Sequence, residues 1–155
     1  MEFVDCRLEL AGEIPVDFKQ VLEASNGWNK VHALGFINRQ QSMEIKQKSI
    51  VGIVTFLPFP NHINAQPNKI FEYMAAGLPV IGSNFPMWRD LLEKNNCGIC
   101  VDPTNPKELA EAINYLKQHP EEAKAMGGNG KTLVRETYNW KAEEVKLFDF
   151  YQKLM

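Results

Sequence analysis

The sequence predicts an α/β fold, a doubly wound parallel sheet with helices on both faces and extra helices at its C-terminal end. Three observations carry this expectation. Strand-like and helix-like stretches alternate from Leu8 to Val101, one strand is apolar on both faces, and the chain beyond Lys107 holds helical patterns with no strand between them. Alternation of this kind, joined by right-handed crossovers, makes a parallel sheet.

The elements follow in order. In "CRLELAGEIPVDFKQVLEAS", Leu8 and Leu10 alternate with charged neighbours, Gly12 makes a turn, and a helical pattern begins near Pro15. A second strand, "KVHALG", runs into a turn at Gly35 to Arg39 and then a polar helix to about Lys48. The next strand, "SIVGIVTFLPF", is almost continuously apolar and β-branched, as a central parallel strand covered on both faces must be. A long loop from Pro58 to Gln66 leads to a helix with Pro67 as its first residue, where the missing N–H would have had no partner anyway. A strand "LPVIGS", a short helix "MWRDLLEK" and a strand "GICVD" complete the alternation. The tail holds three helical stretches, separated at Pro120 and at "GGNG", residues 127–130. Tyr138, Trp140, Phe148 and Tyr151 have the spacing of a last helix clamped on the core rather than of a membrane or partner stripe.

Composition bounds the function. With 155 residues, 45% of them hydrophobic, the chain can bury one good core and is read as a single domain, residues 1–155. Lys and Arg number 17 against 19 Asp and Glu, a formal charge of −2, so no nucleic-acid partner is expected. The longest apolar stretch, Ile50 to Phe59, is far short of the roughly twenty residues of a membrane span, and the N-terminus has no signal pattern. The expected location is cytoplasmic, peripheral to a membrane at most as part of a longer protein.

The candidate chemistry sits on the Pro58–Gln66 loop and the helix after it, because ligands of open parallel sheets bind beyond the carboxyl ends of the strands. A helix opening at Pro67 leaves the amides of Asn68 and Lys69 free, and with the helix dipole and the Lys69 ammonium they suit a phosphate. Ile70, Phe71, Met74 and Ala75 form the apolar face of this helix, and Glu72 falls off it. The rise from Pro67 to Glu72 is roughly 7 to 8 Å at 1.5 Å per residue, about the reach from a distal phosphate to a ribose. A carboxylate can accept both hydroxyls of a ribose diol. The residues alone leave a second reading open, a solvated ion pair between Glu72 and Lys69.

"PNKIFEYMAAGLPVIGSN", "MWRDLLEKNNCGICVDPTNPKELAEAINYL" and "NGKTLVRETYNWKA" together resemble the C-terminal, Rossmann-like domain of group 1 (family 4) retaining glycosyltransferases of the GT-B fold. The resemblance runs from about Leu8 to the end and is most specific between Asn64 and Pro103. It implies a donor domain that binds a nucleotide sugar for polysaccharide or glycolipid assembly, with no metal or other cofactor. Members carry two acids eight positions apart in this loop and helix. Glu72 matches the second, which holds the ribose; the first falls on Asn64, whose amide can still bond a sugar hydroxyl. The turn "GFIN" matches the segment whose backbone touches the base, which makes Ile37 a base contact. His62, in the same loop, is given a secondary binding role. The arginine and lysine that neutralise the diphosphate in the family lie upstream of Leu8, and "MEFVDC" is only a stub. The domain is therefore expected to lack its first strand and its acceptor-binding N-terminal partner domain, and to be inactive alone.

Two readings from other classes stand beside this one. One is a non-catalytic nucleotide-binding or regulatory module. The other is a thiol redox protein using Cys97 and Cys100 of "CGIC". The redox reading is weakened because Cys97 leads into an apolar strand rather than a helix N-terminus, and a zinc site lacks a fourth cysteine, Cys6 being the only other. Buried reduced thiols are the expected state.

Overall fold

A computed structural model describes residues 1–154. Strands and helices alternate as β1 (Leu8–Ala11), α1 (Val16–Glu23), β2 (Val31–Gly35), α2 (Arg39–Lys48), β3 (Gly52–Val54), α3 (Pro60–Ile63), α4 (Asn68–Ala75), β4 (Val80–Ser83), α5 (Pro86–Leu92) and β5 (Gly98–Val101). Three helices close the chain: α6 (Pro106–Gln118), α7 (Pro120–Glu136) and α8 (Trp140–Gln152). All strand pairs are parallel, as the alternation predicts. They fall into two ladders, β1-β2 and β3-β4-β5, and among the described residues no ladder joins β1 to β3.

The core lies on both faces of the larger ladder. β4 is its centre, buried along its whole length. Successive side chains of a strand point to opposite faces. Val80 accordingly packs with Ile70, Met74, Trp88, Leu92 and Cys97, while Ile81 packs with Val101, Ala110, Ile113, Leu116 and Met126. The N-terminal stub belongs to the second cluster through buried Val4. Lys30 Nζ donates to the Val4 carbonyl at 2.6 Å and Lys117 Nζ to that of Asp5 at 2.6 Å, which holds the stub against α6. Around the smaller ladder burial is incomplete, and neither α1 nor α2 has a fully buried residue.

Three expectations about the helices are corrected. Pro67 is not the first helical residue but the N-cap, with extended backbone at ψ 134°, and the helix proper begins at Asn68. The "GGNG" stretch does not break the tail. α7 runs through it from Pro120 to Glu136 because the glycines admit a neighbour: a methyl group at Gly127 would overlap the Gly77 carbonyl, and one at Gly130 would press on Met74. Burial and hydrogen bonding along one face of α7 outweigh the helix cost of glycine, about 1 kcal/mol each. The real interruption comes at Thr137 to Asn139, where the Asn139 side chain accepts from the Ala142 amide and starts α8. Finally, the tail aromatics are not clamped. α8 has no buried residue and Trp140 is 69% exposed; Tyr138 meets the body, its ring 5.1 Å from that of Phe71.

Candidate functional site

The site is built where β3 ends. Strand β3 passes into Phe56, whose amide donates to Ser83 Oγ at 2.7 Å and whose carbonyl accepts from it at 2.8 Å. Ser83 is fully buried at the end of β4, so this reciprocal pair fixes where the loop leaves the sheet. Sequence reasoning passed over Ser83; a lone serine ending an apolar strand was the available signal. Further along, Trp88 Nε1 donates to the Ala65 carbonyl at 2.7 Å and pins the loop just before α4. The loop itself is not free coil: Pro60–Ile63 form the short α3.

His62 sits on that turn. Its Nδ1 lies 3.0 Å from the Leu57 carbonyl, and a carbonyl can only accept, so Nδ1 carries the proton. The ring lies against Phe56 and Phe59, with centroids 4.9 and 5.6 Å away. These contacts hold the imidazole as part of the loop and leave Nε2 for other partners. Asn64, exposed, ends α3. Asn68 and Lys69 are exposed on the first turn of α4, where an α-helix leaves amides unpaired.

α4 itself is oriented by its apolar face. Ile70 and Met74 are buried, which turns Lys69 and Glu72 outward. Gly77, at φ 78°, ends the helix: the Leu78 amide donates to the Tyr73 carbonyl at 3.0 Å and the Gly77 amide to that of Met74 at 2.9 Å. This paired closure satisfies the last carbonyls and sends the chain straight into β4.

Glu72 is neither isolated nor paired with Lys69 alone. Lys69 Nζ donates to Oε1 at 3.1 Å and to Oε2 at 3.0 Å. A second ammonium, Lys46 from α2, donates to Oε2 at 2.9 Å. The three side chains differ in exposure: Lys46 is 12% exposed, Glu72 40% and Lys69 61%. Lys46 Nζ also lies 5.9 Å from the centre of the Tyr73 ring. Partial burial pushes the Glu72 carboxyl up, but hydrogen bonds from Lys46 and Lys69 and their charges outweigh it and hold the group below the usual carboxylate range. Lys46 was missed in the sequence because it is 26 residues away on another helix, in a polar run with no motif.

Ile37 lies half-buried in the turn between β2 and α2. The next residue, Asn38, caps α2, accepting from the Gln41 amide while Gln41 Oε1 accepts from its own. The turn and Lys46 therefore belong to the two ends of one rigid helix. Among the described residues no hydrogen bond joins Ile37 or Asn64 to Glu72.

The cysteines stand apart from this site. Both are buried, and burial pushes the Cys97 thiol up to about 11 and the Cys100 thiol up to about 12. Such thiols are protonated at neutral pH and poor nucleophiles.

Parallel strands flanked by helices, with an exposed helix start beyond the end of β3, define an α/β domain of the kind that takes ligands at its strand ends. The chain belongs to the family described as glycosyl transferases group 1, whose model matches residues 2–133. It is 25% identical over 118 residues to a D-rhamnosyltransferase, WbpZ, of Pseudomonas aeruginosa, covering 74% of this chain and 30% of that protein. It is 23% identical over 152 residues to an alpha-D-kanosaminyltransferase of Streptomyces kanamyceticus, covering 97% of this chain and 38% of that one. Among solved structures it superposes on a sucrose-phosphate synthase of Thermosynechococcus elongatus with a TM-score of 0.75 at 22% identity, covering 96% of this chain and 38% of the other. The fold is that of GT-B glycosyltransferases, and the chain spans about a third of the length of these relatives.

Proposed function

We propose that this chain is the donor domain of a retaining glycosyltransferase, binding a nucleoside diphosphate sugar whose sugar passes to a polysaccharide or glycolipid acceptor held by a second domain. The observation that carries the reading is the ionised Glu72 one turn below the exposed start of α4. The amides of Asn68 and Lys69 and the Lys69 ammonium take the diphosphate, Glu72 takes the ribose hydroxyls, Ile37 lies at the base, and Asn64 and His62 are within the loop that faces the sugar. In the reaction the helix start stabilises the negative charge that grows on the diphosphate as the glycosidic bond breaks. The reading calls for no metal.

The strand order supports the view that the donor domain has one more strand. Doubly wound sheets of this class run 3-2-1-4-5-6. The ladders β2-β1 and β3-β4-β5 match the 3-2 and 4-5-6 parts of that order, and a further strand would fit the place of strand 1.

Titration with UDP, GDP, ADP and TDP tests the reading, since a ligand of the folded state raises the melting temperature. Glu72→Ala is expected to weaken binding of the preferred nucleotide by about 1.5 to 3 kcal/mol, the range for hydrogen bonds to a charged group. Binding of the 2′,3′-dideoxy counterpart should hardly change. No shift with any nucleotide at millimolar concentration, or equal losses for the two ligands, would count against the reading.

A further inference from the structure

The hydrogen bonding of Glu72 is at odds with its use as a diol acceptor. A carboxylate offers about four lone-pair sites on its two oxygens. Lys46 occupies one on Oε2, and Lys69 occupies one on each oxygen. About one site is left, on Oε1, whereas a ribose diol needs two. One lysine has to leave.

The two are not equivalent. The Lys69 side chain is 61% exposed, reaches Glu72 from one turn away on the same helix, and stands beside the free amides of the helix start. The Lys46 side chain is 12% exposed and rests against the Tyr73 ring. Pulling Lys46 off would strand a nearly buried ammonium with no anion, which is costly. Letting Lys69 go costs a solvated pair of small worth, and a diphosphate one turn away is a better partner for it.

We propose that Glu72 works by lysine exchange: Lys46 is a positioning residue that stays on Oε2 and holds the carboxylate in its ligand-ready rotamer, while Lys69 is a removable cap that leaves Glu72 for the diphosphate as the nucleotide binds. This rests on the donor-site reading. It accounts for two lysines on a single carboxylate, which a purely structural ion pair does not require. Recognition of phosphate and of ribose is thereby coupled, since the cation that the phosphate attracts is the one that uncovers the diol site.

The test measures, by calorimetry on the 155-residue chain, the affinities of the best binder among UDP, GDP and ADP, of its 2′,3′-dideoxy counterpart, and of pyrophosphate. Lys46→Met should lower affinity for the ribose nucleotide about five- to tenfold and leave the other two within about twofold; Lys46→Arg should restore it, as a charge-assisted bond to Oε2 is regained. Lys69→Met should weaken all three ligands together. In the wild-type chain, acetylation of Lys69 by acetic anhydride should be blocked by the nucleotide, with Lys46 protected both before and after. The exchange is overturned if Lys46→Met weakens all three ligands alike, if Lys46→Arg does not restore ribose binding, or if Lys46 becomes reactive on nucleotide binding. Acetylation needs no variant to fold, so it decides the matter even if Lys46→Met does not. If Glu72→Ala weakens ribose and dideoxy ligands equally, it is the donor-site reading that fails, whatever Lys46 does.

Discussion

At the scale of single residues, charge and burial pull in opposite directions on the groups that matter. Glu72 is partly buried, which disfavours its ionised form, yet two ammonium groups hold its pKa below the ordinary 4.5. A depressed folded-state pKa means that the ion pairs stabilise the fold above the unfolded value, and that this contribution disappears as pH falls through the lower, folded one. Glu72→Gln should therefore be less stable than wild type at pH 7, by about 0.5 to 1 kcal/mol once solvent screening is allowed for, and equal to it at an acid pH below the lowered folded-state value. Urea midpoints at the two pH values check this, and a difference that persists in acid would mean that the side chain acts through packing. Cys97 and Cys100 show the opposite balance. Burial raises both, to about 11 and about 12, and at Cys100 the Glu93 carboxylate adds to the rise while Arg89 offsets only part of it. Under native conditions at pH 7.5, iodoacetamide should label Cys6, which is only partly buried, and spare the other two until the chain unfolds. Rapid native labelling at Cys100, followed by mass spectrometry, would revive the dithiol reading.

At the scale of elements, the packing of α4 against α7 decides how the site helix is held. The two helices approach so closely that Gly127 lies on the Gly77 carbonyl, at the turn that ends α4. Gly128, one residue on, faces open space. The adjacent glycines should thus respond with opposite sign to the same substitution. Gly128→Ala gains helix propensity and should stabilise by about 0.4 to 1 kcal/mol, while Gly127→Ala forces the helices apart and should destabilise by about 1 to 3 kcal/mol. Equal shifts in the urea midpoint would show that the contact is looser than it looks. The same stretch shows where sequence reasoning stops. Period-2 and near-continuous apolar runs gave every strand its place, and the face of α4 with Ile70 and Met74 inward was legible from spacing. A glycine cluster, by contrast, reads as a break unless the opposing backbone is known, and here it is a long-range contact between residues 77 and 127. Lys46 was illegible for the same reason: its meaning lies in what α2 is packed beside. For α8 the spacing of Trp140, Phe148 and Tyr151 correctly indicated a helix but wrongly indicated that they clamp it on the core, since all three are exposed.

At the scale of the whole molecule, two helices leave large apolar side chains in solvent. On α1, Val16, Phe18 and Val21 are exposed, Phe18 by 63%, and α8 presents Trp140, Phe148 and Phe150 to solvent. Exposed apolar side chains in this number are what a covering element or domain would bury. On the donor-domain reading the covering body is the acceptor-binding half of the enzyme, with the strand that would run between β1 and β3. Sugar transfer needs donor and acceptor in one frame, with water excluded from the cleft between them, and the advantage of holding them so is large, of the order of 7 to 11 kcal/mol of the barrier. On that reading this chain would supply one wall of the cleft. On the same reading, donor affinity should be weak if the helix start and Lys69 are the only groups that meet the diphosphate. We therefore expect the 155-residue chain to bind a nucleoside diphosphate without turning over the nucleotide sugar. Adding the acceptor-binding half, in trans or in one longer polypeptide, should restore transfer and tighten nucleotide binding together, and should bury Phe18 and Trp140 from solvent quenchers. Binding and turnover gained together follow from a completed cleft. Transfer to a glycolipid or polysaccharide acceptor by the short chain alone, at the rate of the longer protein, would instead place the acceptor site within these residues, and the aromatic surface of α8 beside Phe71 would be the first place to look for it.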